Sequence, residues 1–199
     1  GGGLERAVAR LWPAGADRLG GAKSKHKTKQ KKLYNKNFHF VAISDWLKNK
    51  AQKSHVLENF NVQRIYNNID LKKFHEISKT SARLNLNIKT DKYVILYGAN
   101  NPQSKRKGWN IFVETLKKID KSKYFLIIFG NFWSHKTLNE IGIEYRSLGF
   151  IDNYEKLNSI YSSADFFVAS SIQDGWPKTF AEAMYCNTPV ICFKNTSIA

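Results

Sequence analysis

With 199 residues, 42% of them hydrophobic and 24% charged, the chain is long enough to bury a core of its own, and one domain is the default expectation. No apolar run approaches the roughly 20 residues that a bilayer-spanning helix requires, so a helical membrane span is not expected. The net charge of +16 is large but uneven: residues 1–36 hold ten Lys/Arg against two acids, half of the excess in under a fifth of the chain.

That N-terminal stretch reads as a basic leader. The plain expectation is a solvated, disordered segment. The alternative is a tail, centred on the run Lys23–Lys32, that binds anions: an anionic membrane surface, with nucleic acid the less favoured partner. Gly1-Gly2-Gly3 shows no basic segment followed by an apolar one, so no secretory signal is expected. The chain does not begin with Met, and residues 1–22, rich in Ala, Gly, Arg and Leu, differ sharply from the Lys-, Asn-, Ile-, Phe- and Tyr-rich chain beyond Lys23. They are set apart as a candidate non-native leader, in which Leu4–Leu11 would form a short helix ended by Pro13.

From residue 37 onward, β-rich runs alternate with helical ones. Strands are expected at Phe38–Ile43, Val62–Tyr66, Tyr93–Tyr97, Tyr124–Phe129, Ile143–Leu148, Phe166–Ala169 and Pro189–Phe193. Helices are expected from Asp45 to about Ser54, over Gly108–Ile119, over Tyr154–Ser163 and over Lys178–Tyr185, with Asn67–Asp70 as a turn. Continuous apolar strands between amphipathic helices imply a parallel sheet covered on both faces, an α/β doubly wound, Rossmann-like domain spanning 37–199. Ligands on such sheets lie beyond the carboxyl ends of the strands. The loops Gly98–Gly108, Gly130–Trp133 and Ser170–Pro177 should gather there.

Two of those loops carry chemistry. In Asp174-Gly175-Trp176-Pro177, a Gly-x-Pro turn leads into a helix, with Pro177 at its first turn, where a missing N–H is harmless. The amides of Lys178, Thr179 and Phe180 would then face out of the helix N-terminus, an anion site. Glu182, about a turn further on, and Asp174, before the helix, are placed to accept hydrogen bonds from hydroxyls. Taken alone, a turn aspartate and a solvated helix glutamate remain the plainer reading. Lys105-Arg106-Lys107-Gly108 sets three cations at a loop-to-helix junction, which suits phosphate or, equally, a solvated basic loop. The five histidines are scattered without metal-ligand spacing. Cys186 and Cys192 are expected as buried thiols rather than a disulfide or a metal site. Trp109, Trp133 and Trp176 flank the loops, as core residues or as walls for a base or sugar.

Taken in order, these motifs resemble the C-terminal donor-binding domain of a family 4 glycosyltransferase, one half of a GT-B fold. The resemblance spans about 160 residues. Ser44-Asp45-Trp46-Leu47 resembles the crossing into that domain, and Ile65-Tyr66-Asn67-Asn68-Ile69-Asp70, ending at Phe74, its Ile-x-Asn-Gly-Ile-Asp element. Lys107-Gly108 matches its Lys-Gly pair. Gly149-Phe150 with Tyr154–Ala164, Asp174 to Glu182 (the Glu-x7-Glu motif), and Pro189-Val190-Ile191 come next in register.

The resemblance implies retaining transfer of a hexose from a UDP-sugar or GDP-sugar to an acceptor hydroxyl, on a glycan or lipid-linked saccharide, without a bound metal or other cofactor. Surface polysaccharide or glycoconjugate synthesis, in the cytoplasm or at the inner face of the plasma membrane, is the implied setting. By position, Glu182 would hold the ribose, Asp174 the donor sugar and Lys107 the diphosphate. Gly175 lies in the same loop, the amides of Lys178, Thr179 and Phe180 would meet the phosphates, and Gly149 and Phe150 would lie by the base. Asp174 stands where the family has Glu, Asn68 where Gly is common, and Ala99 where Arg is frequent, with Arg106 as its candidate substitute. The family's acceptor-binding domain is missing and the chain ends soon after the last motif, so a C-terminally truncated domain of weak or no activity alone is expected. It would take that domain in trans or act as a non-catalytic nucleotide-sugar-binding fragment or subunit.

Overall fold

The computed structural model describes residues 38–194 and 196. The leader, its basic run and the short helix expected at Leu4–Leu11 lie outside the described residues. The described residues form two compact units, 38–42 with 47–64, and 43–46 with 65–194 and 196. In the first, β1 (Phe40–Ala42) pairs in parallel with β2 (Val62–Arg64), Phe40 opposite Val62, and the Phe40 and Phe60 rings meet edge to face at 5.1 Å. These two strands form their own sheet instead of joining the larger one. Helix α1 (Asp45–Gln52) follows β1.

The second unit is built on five parallel strands. In chain order its elements are α2 (Lys79–Asn85), β3 (Tyr93–Gly98), α3 (Trp109–Lys118), β4 (Tyr124–Phe129), α4 (Lys136–Ile141) and β5 (Tyr145–Ser147). Then come α5 (Tyr154–Ser163), β6 (Phe166–Ala169), α6 (Lys178–Tyr185) and β7 (Val190–Cys192). The sheet order is β5-β4-β3-β6-β7, all parallel. The chain moves outward from β3 through β4 to β5, then returns to place β6 on the other side of β3. Strand order therefore reverses between β3 and β6, where an open α/β sheet leaves a crevice at its carboxyl edge.

Alternation along β3 divides the core. Val94 and Leu96 face one side with Ile127, Phe129 and Phe167, covered by Ile160 and Tyr161 of α5 and Ala181 and Ala183 of α6. Ile95 and Tyr97 face the other with Leu126 and Ile128, covered by Trp109, Phe112, Val113 and Leu116 of α3 and by Leu138 and Ile141 of α4. Each of the aliphatic side chains withdrawn fully from water contributes about 1.5–3 kcal/mol. Cys186 is buried in the first cluster, and its thiol is pushed up to about 12 by burial. Among the described residues, no helix is long and apolar enough to cross a membrane.

Helices α2 and α4 do not figure among the sequence expectations. Both are short: α2 buries only Ala82, and the six-residue α4 buries only Leu138 and Ile141, too few apolar positions to repeat as a stripe. Helix α2 is instead held from outside. Ser78 caps it, its hydroxyl accepting from the Ser81 amide at 3.2 Å. Asp165, at the start of β6, accepts from Lys79 Nζ at 2.6 Å, Arg83 Nη2 at 2.8 Å and the Val94 amide at 2.7 Å. Burial works to raise the Asp165 carboxyl, but those hydrogen bonds and the two cations outweigh it and hold it below its ordinary 3.8. A depressed carboxyl contributes stability above its unfolded-state pKa, and loses it as pH falls through the native one. Asp165→Asn is therefore expected to cost about 1–2 kcal/mol in urea denaturation at pH 7, with the gap from the parent closing as pH drops below about 4.

Candidate functional site

The reversal of strand order sets two loops side by side, residues 99–108 after β3 and 170–177 after β6. Backbone joins them. The amides of Ile172 and Gln173 donate to the Arg106 carbonyl at 3.0 and 3.4 Å. The Ser170 hydroxyl donates to the carbonyls of Lys107 and Gly108 at 2.9 and 3.2 Å. From the sheet, the Tyr97 hydroxyl reaches the carbonyls of Pro102 and Lys107 at 3.1 and 3.2 Å. Burial pushes that phenol up to about 12, so it stays a donor throughout the physiological range. Gly108 makes the approach possible: its φ is +72°, and a Cβ there would lie 1.9 Å from the Ser170 carbonyl oxygen.

On this frame stand the charges. Lys105–Lys107 form a single 3-10 turn before α3. Lys107 Nζ lies 2.5 Å from Asp174 Oδ2, and Arg106 Nη1 lies 3.3 Å from the same oxygen. Arg106 also donates to the Gln173 carbonyl at 3.3 Å. The three expected residues thus form one cluster, and Arg106 enters it in a region where Ala99 offers no charge. The lining of the cleft at the ends of β3 and β6 includes Gly98, Ala99, Lys107, Ser170, Pro177 and Thr179.

Helix α6 begins there, with Pro177 as its N-cap and Lys178 as its first residue. The Phe180 amide turns back to the Pro177 carbonyl at 3.3 Å, and its ring meets Trp176 edge to face at 5.8 Å. The amides of Lys178 and Thr179 belong to the first turn, where the helix field favours an anion. Trp176 also packs on Tyr66 at 5.2 Å, linking the Asn67–Asp70 loop to the site. Gly175 is part of the same loop, directly after Asp174.

Glu182 is half-buried on α6, and its Oε2 accepts from the Tyr161 hydroxyl at 2.7 Å. Burial raises its pKa, only partly opposed by that hydrogen bond and by the charge of Lys178. Tyr161 is fully buried on α5, and its phenol is pushed well up by burial and by the Glu182 charge. Gly149 and Phe150 lie elsewhere on the carboxyl edge, after β5, two strands from the crevice. Gly149 adopts φ +68° and accepts from the Gly130 amide at 2.7 Å, while Phe150 is exposed. Of the flanking tryptophans, Trp109 is core and Trp133 is exposed, its amide held by Gln103 Oε1 at 2.8 Å.

Three contributors escape a reading by sequence. Tyr161 belongs to an apolar helical face and is expected there simply as core; nothing local reveals that its hydroxyl meets Glu182. Ser170 acts through carbonyls 62 to 63 residues away, contacts that exist only once β3 and β6 are adjacent, and Tyr97 through carbonyls 5 to 10 residues on, which the fold of the loop after β3 brings back over its own strand. Among the described residues, no group of three His, Cys, Asp or Glu side chains could hold a metal ion.

A family model described as Glycosyl transferases group 1 matches residues 78–199. No curated protein matches the chain significantly. Among solved structures, sucrose-phosphate synthase from Thermosynechococcus elongatus is similar over 94% of this chain and 47% of its own, at 22% identity and a TM-score of 0.71. Anabaena HepE, in complex with UDP and glucose, is similar over 86% and 48%, at 17% identity and a TM-score of 0.66. The C-terminal domain of a group 1 glycosyl transferase from Francisella tularensis is similar over 65% and 72%, at 20% identity and a TM-score of 0.53. The chain thus spans about half the length of the first two, and the shared fold is one half of a GT-B architecture.

Proposed function

Since the chain belongs to the group 1 glycosyl transferases, we propose that its described domain is the donor half of a family 4 retaining enzyme. It binds a nucleotide diphosphate sugar for transfer of a hexose to an acceptor hydroxyl. The observation that carries this reading is the cluster of Lys107, Arg106 and Asp174 at the strand-order reversal, beside the start of α6. A cation pair and a helix N-terminus on one crevice match a diphosphate. Glu182, held by Tyr161, is the acceptor for ribose hydroxyls, and Asp174 for those of the sugar. The UDP and glucose bound by Anabaena HepE make a UDP-sugar the first donor to test. Gly149 and Phe150 would serve the base.

In the transfer, the bond between the sugar C1 and the diphosphate oxygen breaks, the acceptor hydroxyl oxygen bonds to C1 and gives up its proton to the leaving diphosphate, and the diphosphate gains negative charge as it departs. Lys107, Arg106 and the amides of Lys178 and Thr179 stabilise that charge from fixed positions. Metal assistance is not part of the proposed step, and the acceptor, a glycan or lipid-linked saccharide at the cytoplasmic face, would be presented by a partner domain. Surface polysaccharide or glycoconjugate synthesis is the proposed setting.

Calorimetry with UDP, GDP and their hexose conjugates tests the reading. Binding of one base series is expected, and Lys107→Met should weaken it about 10- to 100-fold by removing a charge-assisted contact. A folded sample that binds none of the four ligands would refute the donor site.

A further inference from the structure

The two cations of the crevice already hold an anion, and it is the protein's own. Lys107 and Arg106 share one oxygen of Asp174, at 2.5 and 3.3 Å. The Lys107 and Asp174 side chains keep only 16% and 11% of their exposure, so their pair is largely withdrawn from water. Removing one partner of such a pair leaves a charge that is poorly solvated and uncompensated. The frame around it is independent of the pair, since the amides of Ile172 and Gln173 and the Ser170 hydroxyl fasten the two loops to each other, and the Tyr97 hydroxyl holds the first of them to β3. Asp174 is therefore a charge fixed between two cations, and a diphosphate seeking those cations meets it as a competitor.

Resting on the donor-site reading, we infer that Asp174 is a specificity-determining residue that discriminates the intact nucleotide diphosphate sugar from the nucleoside diphosphate left after transfer. A diphosphate that draws Lys107 away strips Asp174 of its cation and brings negative charge towards it. With the sugar still attached, its hydroxyls donate to the carboxylate and replace the lost cation, so the ion pair is exchanged. With the sugar gone the pair is only broken. The penalty falls on the product complex, which favours release of the nucleoside diphosphate over its retention. The Asp at this position, one methylene shorter than Glu, also needs the sugar to come close before the exchange is made.

Calorimetry on the full chain measures this with UDP, UDP-glucose, GDP and GDP-mannose, on the parent, Asp174→Asn, Asp174→Ser and Asp174→Glu, each checked for folding by urea denaturation. Both neutral variants should bind the nucleoside diphosphate about tenfold more tightly than the parent. Their ratio of sugar-conjugate to nucleoside diphosphate affinity should fall at least as far, while Asp174→Glu keeps discrimination. A purely structural role would move both ligands together. If the parent binds nucleotide and the folded neutral variants bind the nucleoside diphosphate no more tightly, the inference is overturned and the donor site stands. If the parent binds none of the ligands, the donor-site reading falls and the inference with it.

Discussion

Replacing Gly108 by alanine is expected to destabilise the domain by about 3–5 kcal/mol and to abolish nucleotide binding. Two effects add. A φ of +72° costs an L-residue roughly 1–2 kcal/mol by itself. The new Cβ would also lie 1.9 Å from the Ser170 carbonyl oxygen and 2.8 Å from its carbon, backbone atoms that cannot rotate away. Relief requires the 170–177 loop to leave the 105–108 turn. That breaks the Ser170 hydroxyl's bonds to the Lys107 and Gly108 carbonyls and the amide bonds to Arg106. Asp174 would then part from Lys107. Urea denaturation reads the first effect and UDP or GDP calorimetry the second. Gly142 is the internal control: its φ is also +72°, but a Cβ there meets nothing within 4 Å, so Gly142→Ala should show the conformational cost alone. Equal losses at the two positions would contradict the close-approach argument.

Glu182→Gln is expected to act in opposite directions on stability and on binding. The native pKa of Glu182 is raised above 4.5 because burial disfavours its charged form. A carboxyl raised in this way is a burden on the fold above its native pKa, and the burden lifts as pH falls through that value towards the unfolded one. Glutamine is isosteric, keeps an oxygen for the Tyr161 hydroxyl and carries no charge. The variant should be more stable than the parent by roughly 1 kcal/mol at pH 7, with the difference vanishing near pH 4. Binding should weaken about 10- to 100-fold, because the ribose hydroxyls lose a charged acceptor. Thermal melts across pH and calorimetry on one sample check both signs. A variant that is less stable at pH 7 would show that the carboxylate is compensated in the fold, and unchanged affinity would remove Glu182 from the site. The trade is the one expected of a functional group held at a cost to its scaffold.

The local code of the larger unit is strong. Tyr124–Phe129 and Phe166–Ala169 are short apolar runs bounded by turn signals, the pattern of a strand covered on both faces, and both form with those bounds. The helices at Tyr154–Ser163 and Lys178–Tyr185 also keep their expected limits, set by Asn153 as a cap and by Pro177 at the other's start. These signals depend on neighbours along the chain, so composition and periodicity carry them. The pairing of β1 with β2 does not, since two short β-rich runs can extend a large sheet or make a small one. Helix α2 escapes because Asp165, not an apolar stripe, holds it, and α4 because its two core residues, Leu138 and Ile141, are too few to show a period.

The same division runs through the site. That Asp174, Lys107 and Glu182 are the residues to watch comes from the register of their motifs with those of the family they resemble, since a turn, a proline and a helix start, as local facts, fit a solvated loop and helix equally well. What each side chain faces was decided in space: the adjacency of β3 and β6 brings residues 67 apart into contact at Lys107 and Asp174, and the packing of α5 and α6 on one face of the sheet brings residues 21 apart into contact at Tyr161 and Glu182. Sequence determined which groups carry charge and where the chain turns. Tertiary structure alone decided that one acid is neutralised by two cations while the other is buried against a phenol, because desolvation and charge pairing depend on distance in space.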